Sequence, residues 1–194
     1  MTKVALVTGA SRGIGRSIAE ALAAARYAVV VNFASRRGDA DATMAAIAAG
    51  GGTAVALQAD VSDAAAVARM FAAVDERFGR LDALVNNAGI GRRIDRLTDI
   101  DDETWRRTLA VNLDGAFFCM RAAIPRLRAA GGGRIVNISS GAARTGGAIG
   151  AHYAASKAGM LALTAKAARE LARDGIAVNA VLPSVIETEM LDAV

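Results

Sequence analysis

The residue types that build metal centres are scarce in this sequence. Among its 194 residues, Cys119 is the only cysteine and His152 is the only histidine. A single cysteine excludes a disulfide within the chain and a thiolate zinc cluster, and a single histidine excludes a multi-histidine metal site. We therefore predict no metal site. A Ser-His-Asp triad would depend on His152 alone.

Aromatic residues and charge of one sign are also limited. Aromatics make up 4 % of the chain against 54 % for all hydrophobic residues, so the core must consist mainly of Ala, Val, Leu and Ile. Basic residues exceed acidic ones by 23 to 19, and the arginines are scattered. This distribution does not favour nucleic-acid binding, which usually requires a basic patch. No segment has the length of a membrane span or the pattern of a signal peptide, so we expect a cytoplasmic protein without membrane partners.

Short apolar runs alternate with helical patterns along the whole chain. This alternation predicts an α/β protein with a doubly wound parallel sheet, Rossmann-like and three-layered, in one domain spanning residues 1–194. Pro125 lies inside the longest predicted helix and is expected to kink or end it. We predict strands at 3–7, 28–33, 53–58, 81–85, 134–138 and 176–181, and helices at 13–25, 39–49, 63–78, 102–129 and 151–173.

The segment TGASRGIG, residues 8–15, follows the first predicted strand and opens the first predicted helix. Glycines in this position let the backbone approach a pyrophosphate, while the helix N-terminus supplies amide donors. The segment lacks the Gly-Lys-Ser/Thr ending of a nucleoside-triphosphate loop. A turn needed only for strand-helix packing is the alternative. The candidate cofactor-binding residues here are Gly9, Ser11, Arg12, Gly13, Ile14 and Gly15.

The end of the second predicted strand carries no acidic residue. An Asp or Glu there would bind the ribose 2′-hydroxyl of NAD, whereas arginines suit the 2′-phosphate of NADP. Arg36 and Arg37 follow this strand, and Arg12 lies in the glycine turn. We therefore predict NADP(H) as the favoured cofactor, with NAD(H) possible. An ordinary solvated loop is the alternative reading of the two arginines.

Tyr153 and Lys157 are four residues apart in the last predicted helix and share one helix face. A neighbouring positive charge favours the phenolate, so we expect the lysine to lower the pKa of the tyrosine and suit it to proton transfer. Such pairs also occur by chance on solvated helix faces. The rest of the chain must decide between these interpretations.

Further motifs give the pair its context: Asn86-Asn87-Ala88-Gly89, Asp60, Asn112 and Ser139-Ser140. Together with TGASRGIG and the Tyr-Lys pair, they make the chain resemble the short-chain dehydrogenase/reductase family over nearly its full length. The resemblance implies a catalytic set of Ser140, Tyr153, Lys157 and Asn112. Ser140 stands thirteen residues before Tyr153 and would orient a substrate carbonyl. Asn112 would anchor a proton relay.

The resemblance also implies further cofactor contacts. Asp60 and Val61 would lie against the adenine, Asn87, Ala88 and Gly89 would support the cofactor, and Lys157 would reach its ribose. Pro183 would lie beside the nicotinamide, with Ser184 where the family usually has glycine, and Thr188 would contact the cofactor amide.

The implied activity is hydride transfer between NADP(H) and a carbonyl/secondary-alcohol pair. Reduction of 3-oxoacyl groups on an acyl carrier protein is the nearest single activity, with sugars, steroids and other small alcohols as competing substrates. A rim of Arg92, Arg93 and Arg96 could meet an acidic carrier, or could be a solvated loop. The long helix and the Tyr153 helix resemble the family's pairing helices, which implies a homodimer or homotetramer.

Two other functions follow from different features. Family members normally continue beyond the position of Val194, so the sequence predicts a fold without the usual C-terminal lid and last strand. An open site would make the chain a catalytically weak or silent NADP(H)-binding protein, acting as a sensor or assembly subunit. A methyltransferase that shares the glycine-rich turn is disfavoured because it gives Ser140, Tyr153 and Lys157 no role.

Overall fold

The computed structural model describes residues 2–184, and they form strands and helices in strict alternation up to β4. The strands are β1 (Val4–Val7), β2 (Ala28–Phe33), β3 (Thr53–Gln58), β4 (Ala83–Asn86), β5 (Gly133–Ile138) and β6 (Ile176–Val181). The helices are α1 (Gly13–Ala24), α2 (Arg37–Ala49), α3 (Ala64–Phe78), α4 (Asp102–Leu109), α5 (Gly115–Ala129), α6 (Ala142–Thr145) and α7 (Ala151–Leu171).

All six strands pair in parallel in the order β3-β2-β1-β4-β5-β6. The strand order reverses direction between β1 and β4, and in open α/β sheets ligands bind at the carboxyl ends of the strands beside such a switch point. The predicted doubly wound, Rossmann-like fold is confirmed. This topology places the residues that follow β1, β4 and β5 along one edge of the sheet.

The central strands β1, β2 and β4 are buried at every position, as expected for a sheet covered by helices on both faces. One core cluster includes Phe71, Leu84 and Leu127, and a second on the opposite face includes Val29 and Ile47. No helix among the described residues is long and apolar enough to cross a membrane.

Most predicted boundaries lie within two residues of the observed ones, but the long helix predicted at 102–129 is interrupted. A π-helical segment, Ala110–Asp114, separates α4 from α5. Pro125 does not end the helix, because α5 continues to Ala129 and buries Ala123 and Leu127 on either side of the proline. Packing of these side chains outweighs the backbone hydrogen bond that proline cannot make. Helix α6 has no counterpart among the predicted elements.

Candidate active site

The glycine turn lies at the carboxyl end of β1 and packs directly against the segment that follows β4. Gly9 has φ of 61°, and a Cβ atom there would lie 2.9 Å from the Cα atom of Ala88. A Cβ atom at Gly15 would collide with the Asn87 side chain and the Gly9 carbonyl oxygen. Both positions therefore require glycine, because a side chain would collide with neighbouring atoms. At Gly9 the positive φ is a second reason.

Thr8 and Asn87 join the two sides of the switch point. The Thr8 hydroxyl accepts hydrogen bonds from the backbone N–H groups of Asn87 and Ala88, both at 3.0 Å. The Asn87 amide in turn donates to the carbonyl oxygens of Thr8 at 2.9 Å and Gly9 at 3.0 Å. These reciprocal bonds fix the glycine turn relative to the Asn-Asn-Ala-Gly segment.

The N-terminus of α1 has the character of an anion site. Arg12 precedes the helix with an extended backbone, and its side chain makes no capping hydrogen bond to the helix. The first N–H groups of a helix and the helix dipole favour a phosphate at this position. Gly13 and Ile14 form the first turn, while buried Ser11 is fixed through its carbonyl by the Thr43 hydroxyl at 3.0 Å. The residues present fit the pyrophosphate of a dinucleotide.

Ser140, Tyr153 and Lys157 come together where β5 ends and α7 begins. The Tyr153 hydroxyl is hydrogen-bonded to the Ser140 side chain. The Lys157 ammonium lies 5.7 Å from the centre of the tyrosine ring and donates to the Ile138 carbonyl at 2.8 Å. Tyr153 is only 7 % exposed and Lys157 only 3 %. A phenol, a hydroxyl and an ammonium thus share one shielded site.

Burial determines the proton affinities in this cluster. It raises the pKa of Tyr153 above its ordinary value, and the hydrogen bond with Ser140 offsets only part of this effect. Burial also lowers the pKa of Lys157 to about 8. The tyrosine pKa is therefore raised, whereas the sequence predicts that it is lowered, because desolvation of the buried phenol is the largest effect on it.

Asn112 lies in the π-helical segment and is fully buried. Its side-chain oxygen accepts from the Ile90 N–H at 2.8 Å, and its side-chain nitrogen donates to the Ile90 carbonyl at 2.9 Å and to the Ser156 hydroxyl at 3.0 Å. Ser156 donates to the Tyr153 carbonyl at 2.7 Å. Asn112 therefore connects the segment after β4 to the helix that carries Tyr153 and Lys157.

The two adjacent serines have different surroundings. Ser139 is buried, and its hydroxyl donates to the Lys157 carbonyl at 2.9 Å. Ser140 is partly exposed and contacts the tyrosine, so of the two serines it is the one beside the phenol. The Pro183 carbonyl accepts from the Gly141 N–H at 3.0 Å, so Pro183 lies beside this loop. Thr188 lies outside the described residues.

The remaining predicted contacts line the same edge of the sheet towards β2 and β3. Burial raises the pKa of the Asp60 carboxyl, but hydrogen bonds from Ser62 and Arg107 outweigh this effect and hold the pKa below its ordinary range. Val61 is buried, and Gly89 is close enough to the Lys157 ammonium that a Cβ atom there would lie 3.4 Å from it. Arg36 precedes α2, half-exposed, with one guanidinium nitrogen 3.6 Å from Asp39.

Two residues in these networks were not among the predicted site residues: Thr8 and Ser156. Thr8 and Ser156 lie within the motifs, but their side chains bind other protein groups, so chemistry-based motif reading passes over them. Their positions inside the motifs are the only signal in the sequence.

Comparison with known proteins identifies the family of this chain. The family model described as short chain dehydrogenase matches residues 3–194. The 3-oxoacyl-[acyl-carrier-protein] reductase FabG of Staphylococcus aureus is 47 % identical over 193 residues, covering 100 % of this chain and 78 % of that protein. The 3-oxoacyl-[acyl-carrier-protein] reductase of Synechocystis is 45 % identical, with 98 % and 76 % covered.

Solved structures show the same relationship. A crystal structure described as a short-chain alcohol dehydrogenase from Sinorhizobium meliloti superposes with a TM-score of 0.92 at 43 % identity, covering 97 % of this chain and 74 % of that one. A short-chain dehydrogenase/reductase from Burkholderia xenovorans gives 0.93 at 34 % identity, with 96 % and 78 % covered. The chain thus belongs to the short-chain dehydrogenase/reductase family and is an NAD(P)-dependent oxidoreductase acting on CH–OH groups.

Proposed function

We propose that this protein is an NADP(H)-dependent 3-oxoacyl-carrier-protein reductase that uses Ser140, Tyr153 and Lys157, with Asn112 as a supporting group. The observation that carries the proposal is the shielded cluster of phenol, hydroxyl and ammonium beside the glycine turn. Relatives that bear this activity in their names are up to 47 % identical, which supports the choice of substrate class. We propose that residues 1–194 act as one domain, since the described strands form one sheet.

The chemistry follows from the positions of the protein's own groups. A nicotinamide cofactor held at the glycine turn would supply a hydride to the substrate carbon or take one from it. Tyr153 donates its hydroxyl proton to the carbonyl oxygen as that oxygen gains charge, and it takes the proton back in the reverse direction. Ser140, hydrogen-bonded to Tyr153, donates to the same oxygen and holds it in place. A positive charge on Lys157 favours the phenolate that forms after proton transfer.

Turnover distinguishes this proposal from a silent cofactor-binding protein. Replacing Tyr153 by Phe removes the transferable proton and keeps the ring, so kcat for a 3-oxoacyl thioester should fall at least about a hundredfold. The dissociation constant for NADPH should change little. A wild-type protein that binds NADPH without turning over any carbonyl substrate, or a Tyr153→Phe variant with full activity, would contradict the catalytic assignment.

We propose that Arg36, together with Arg12, binds the 2′-phosphate of NADP(H). Charge-assisted contacts to phosphate contribute about 1.5–3 kcal/mol each, so Arg36→Ala should weaken NADPH binding at least about tenfold and leave NADH binding nearly unchanged. Arg37 is a matched neighbour, because its guanidinium is held by Asp41 at 2.8 Å and lies over the Phe33 ring. Arg37→Ala should have a smaller effect. Tighter binding of NADH than NADPH by the wild type would refute the proposal.

We propose that the exposed arginines of the loop after β4 receive the acidic carrier. This loop adjoins the site, since the Ile94 N–H donates to the Ile149 carbonyl at 2.9 Å just before α7. Reversing the charge at Arg92 and Arg96 should raise KM for the carrier-linked substrate and leave KM for a free thioester unchanged. Reversal at Arg77, exposed on α3, is the control. Equal changes for both substrates, or no change, would exclude this docking surface.

The proposed self-association uses the helices α4, α5 and α7. Phe117 is 42 % exposed on α5 and Trp105 is 38 % exposed on α4, and such side chains are typical of protein interfaces. The Arg121 guanidinium lies over the Phe117 ring at 5.1 Å. We expect a symmetric dimer or tetramer, to be checked by sedimentation equilibrium of the wild type and of Phe117→Glu.

A further inference from the structure

Asn32, near the end of β2, is the most heavily hydrogen-bonded buried side chain outside the residues assigned above. It is 1 % exposed. Its side-chain oxygen accepts from the Gly9 N–H at 3.2 Å, and its side-chain nitrogen donates to the carbonyl oxygens of Leu57 at 3.2 Å and Ala59 at 3.1 Å. The side-chain oxygen faces a backbone N–H group and the side-chain nitrogen faces backbone carbonyls. This pairing fixes which way the amide is oriented.

The backbone of Asn32 adds to this junction, since its carbonyl accepts from the Ala10 N–H at 2.8 Å. Asn32 therefore binds the first two backbone N–H groups after Thr8. Through its side chain it also binds two carbonyls, those of Leu57 and Ala59, in the segment that leads to Asp60. The two N–H groups are engaged within the protein. Any phosphate at the turn must be bound by amides that come later, towards the start of α1.

The two segments that Asn32 joins form opposite walls of the adenosine half of the proposed cofactor site. The glycine turn lies on one side, and the segment of Asp60 and Val61 lies on the other. Among the described residues, the Asn32 side chain contacts both Gly9 and the backbone that leads to Asp60. The Asn32 amide thus adds a direct side-chain link between these walls to the backbone bonds that join each of them to β2, from the Ala10 N–H to the Asn32 carbonyl at 2.8 Å and from the Ala59 N–H to the Phe33 carbonyl at 2.9 Å.

We propose that Asn32 is a positioning residue that sets the spacing between the glycine turn and Asp60 and thereby controls affinity for the adenosine half of the cofactor. This inference rests on the cofactor site proposed above. It does not involve Asn32 in hydride or proton transfer. A change at Asn32 should therefore alter KM and the dissociation constant for the cofactor, and leave kcat at saturating cofactor unchanged.

Asn32→Asp is the sharpest test, because it keeps the size of the side chain and replaces the donor nitrogen with an oxygen that faces two carbonyls. We expect the dissociation constant for adenosine 2′,5′-bisphosphate, which contains only the adenosine half, to rise about tenfold. The constant for NADPH should rise by the same factor, and kcat at saturating NADPH should stay within about twofold of the wild type. Asn32→Thr keeps an acceptor and one donor, and should give an intermediate increase of about threefold.

Asn137→Asp is the matched control. Asn137 is also a fully buried strand asparagine, but it lies on β5, accepts from the Asn86 amide at 2.8 Å and donates to the Thr164 hydroxyl at 2.8 Å. A buried carboxylate there should not change fragment affinity. Thermal unfolding of each variant identifies loss of the fold, and Asn32→Thr decides the question if Asn32→Asp does not fold.

The outcomes separate this inference from the function on which it rests. Unchanged affinity for the fragment in the Asn32 variants, an equal rise in Asn137→Asp, or a fall in kcat without a change in affinity would each overturn the role of Asn32 alone. A wild-type protein that binds neither NADPH nor the fragment would overturn the proposed cofactor and this inference together.

Discussion

Replacing Lys157 by Met should make the protein more stable while inactivating it. The lysine is 3 % exposed and its pKa is about 8, compared with an ordinary value of 10.5. This difference corresponds to a cost of roughly 3 kcal/mol for holding the charged side chain in the folded protein. Methionine fills similar space without the charge. It leaves the Ile138 carbonyl without its 2.8 Å partner, which costs about 1 kcal/mol, so the net gain should be about 2 kcal/mol at pH 7.

The gain should depend on pH in a defined direction. Because burial lowers the pKa of folded Lys157 to about 8, both folded and unfolded chains carry the charge below that pH, and the cost is complete. As the pH rises from about 8 towards 10.5, the folded lysine releases its proton first and the wild type becomes relatively more stable. The advantage of Lys157→Met over the wild type should therefore shrink across this window.

Urea unfolding at pH 7 and pH 10, at one fixed protein concentration, measures both effects. A gain of about 2 kcal/mol also corresponds to a rise in Tm of roughly 6 °C for a chain of this size. Lys166→Met is the matched control on the same helix, because Lys166 is exposed and forms a surface ion pair with Glu170 at 3.1 Å. It should change stability by less than about 0.5 kcal/mol.

The activity of Lys157→Met should fall at least about a hundredfold, since the charge that favours the tyrosinate is gone. A loss of stability greater than about 1 kcal/mol at pH 7, relative to Lys166→Met, would refute the reasoning. It would show that the hydrogen bond and packing of the lysine outweigh the cost of burying its charge. A gain that does not change between pH 7 and pH 10 would refute the assigned cause.

Three further changes test other parts of the structure. Arg26 follows α1 with φ of 67°, so Arg26→Gly should raise the free energy of unfolding by about 0.5–1 kcal/mol in urea titration; a loss would contradict this. Gly15→Ala should weaken NADPH binding at least about tenfold, because the added Cβ atom would displace the glycine turn. Unchanged affinity would mean that the backbone of the turn can shift without loss of binding. Neither ring nitrogen of buried His152 has a hydrogen-bond partner among the described residues, so His152→Leu should keep or raise Tm. A fall of several degrees would indicate a partner.

The fold could be predicted because its signals are local. Strand runs such as Ala28–Phe33 are continuously apolar apart from Asn32, and glycines follow several helices, so alternation and boundaries are visible in the sequence. The π-helical segment Ala110–Asp114 could not be predicted in the same way. It depends on the hydrogen bonds that Asn112 makes to Ile90, 22 residues away in the sequence. Helical periodicity carries no information about such contacts.

The candidate site, too, could be predicted only in part. The positions of Ser140, Tyr153 and Lys157 follow from spacing, and the structure brings the three together. Their proton affinities do not follow from spacing, because the direction of the tyrosine pKa depends on how much water the assembled fold excludes. The contacts of Asn32 could not be predicted for a related reason, since its partners come from the turn after β1 and from the end of β3.

The boundary between β1 and β4 in the sheet separates the earlier strands of the polypeptide from the later ones. Residues before Gly79 build β1, β2 and β3, and residues after it build β4, β5 and β6, so each half of the chain contributes three adjacent strands. Only three residue pairs join the halves along β1 and β4, supplemented by bonds such as that from the Val4 N–H to Asp82 at 2.8 Å. Two separately expressed fragments divided at Gly79 would pair with each other through β1 and β4. A dinucleotide that touches both the glycine turn and Tyr153 would hold them together, which makes the scaffold a natural starting point for a split reporter of cofactor concentration.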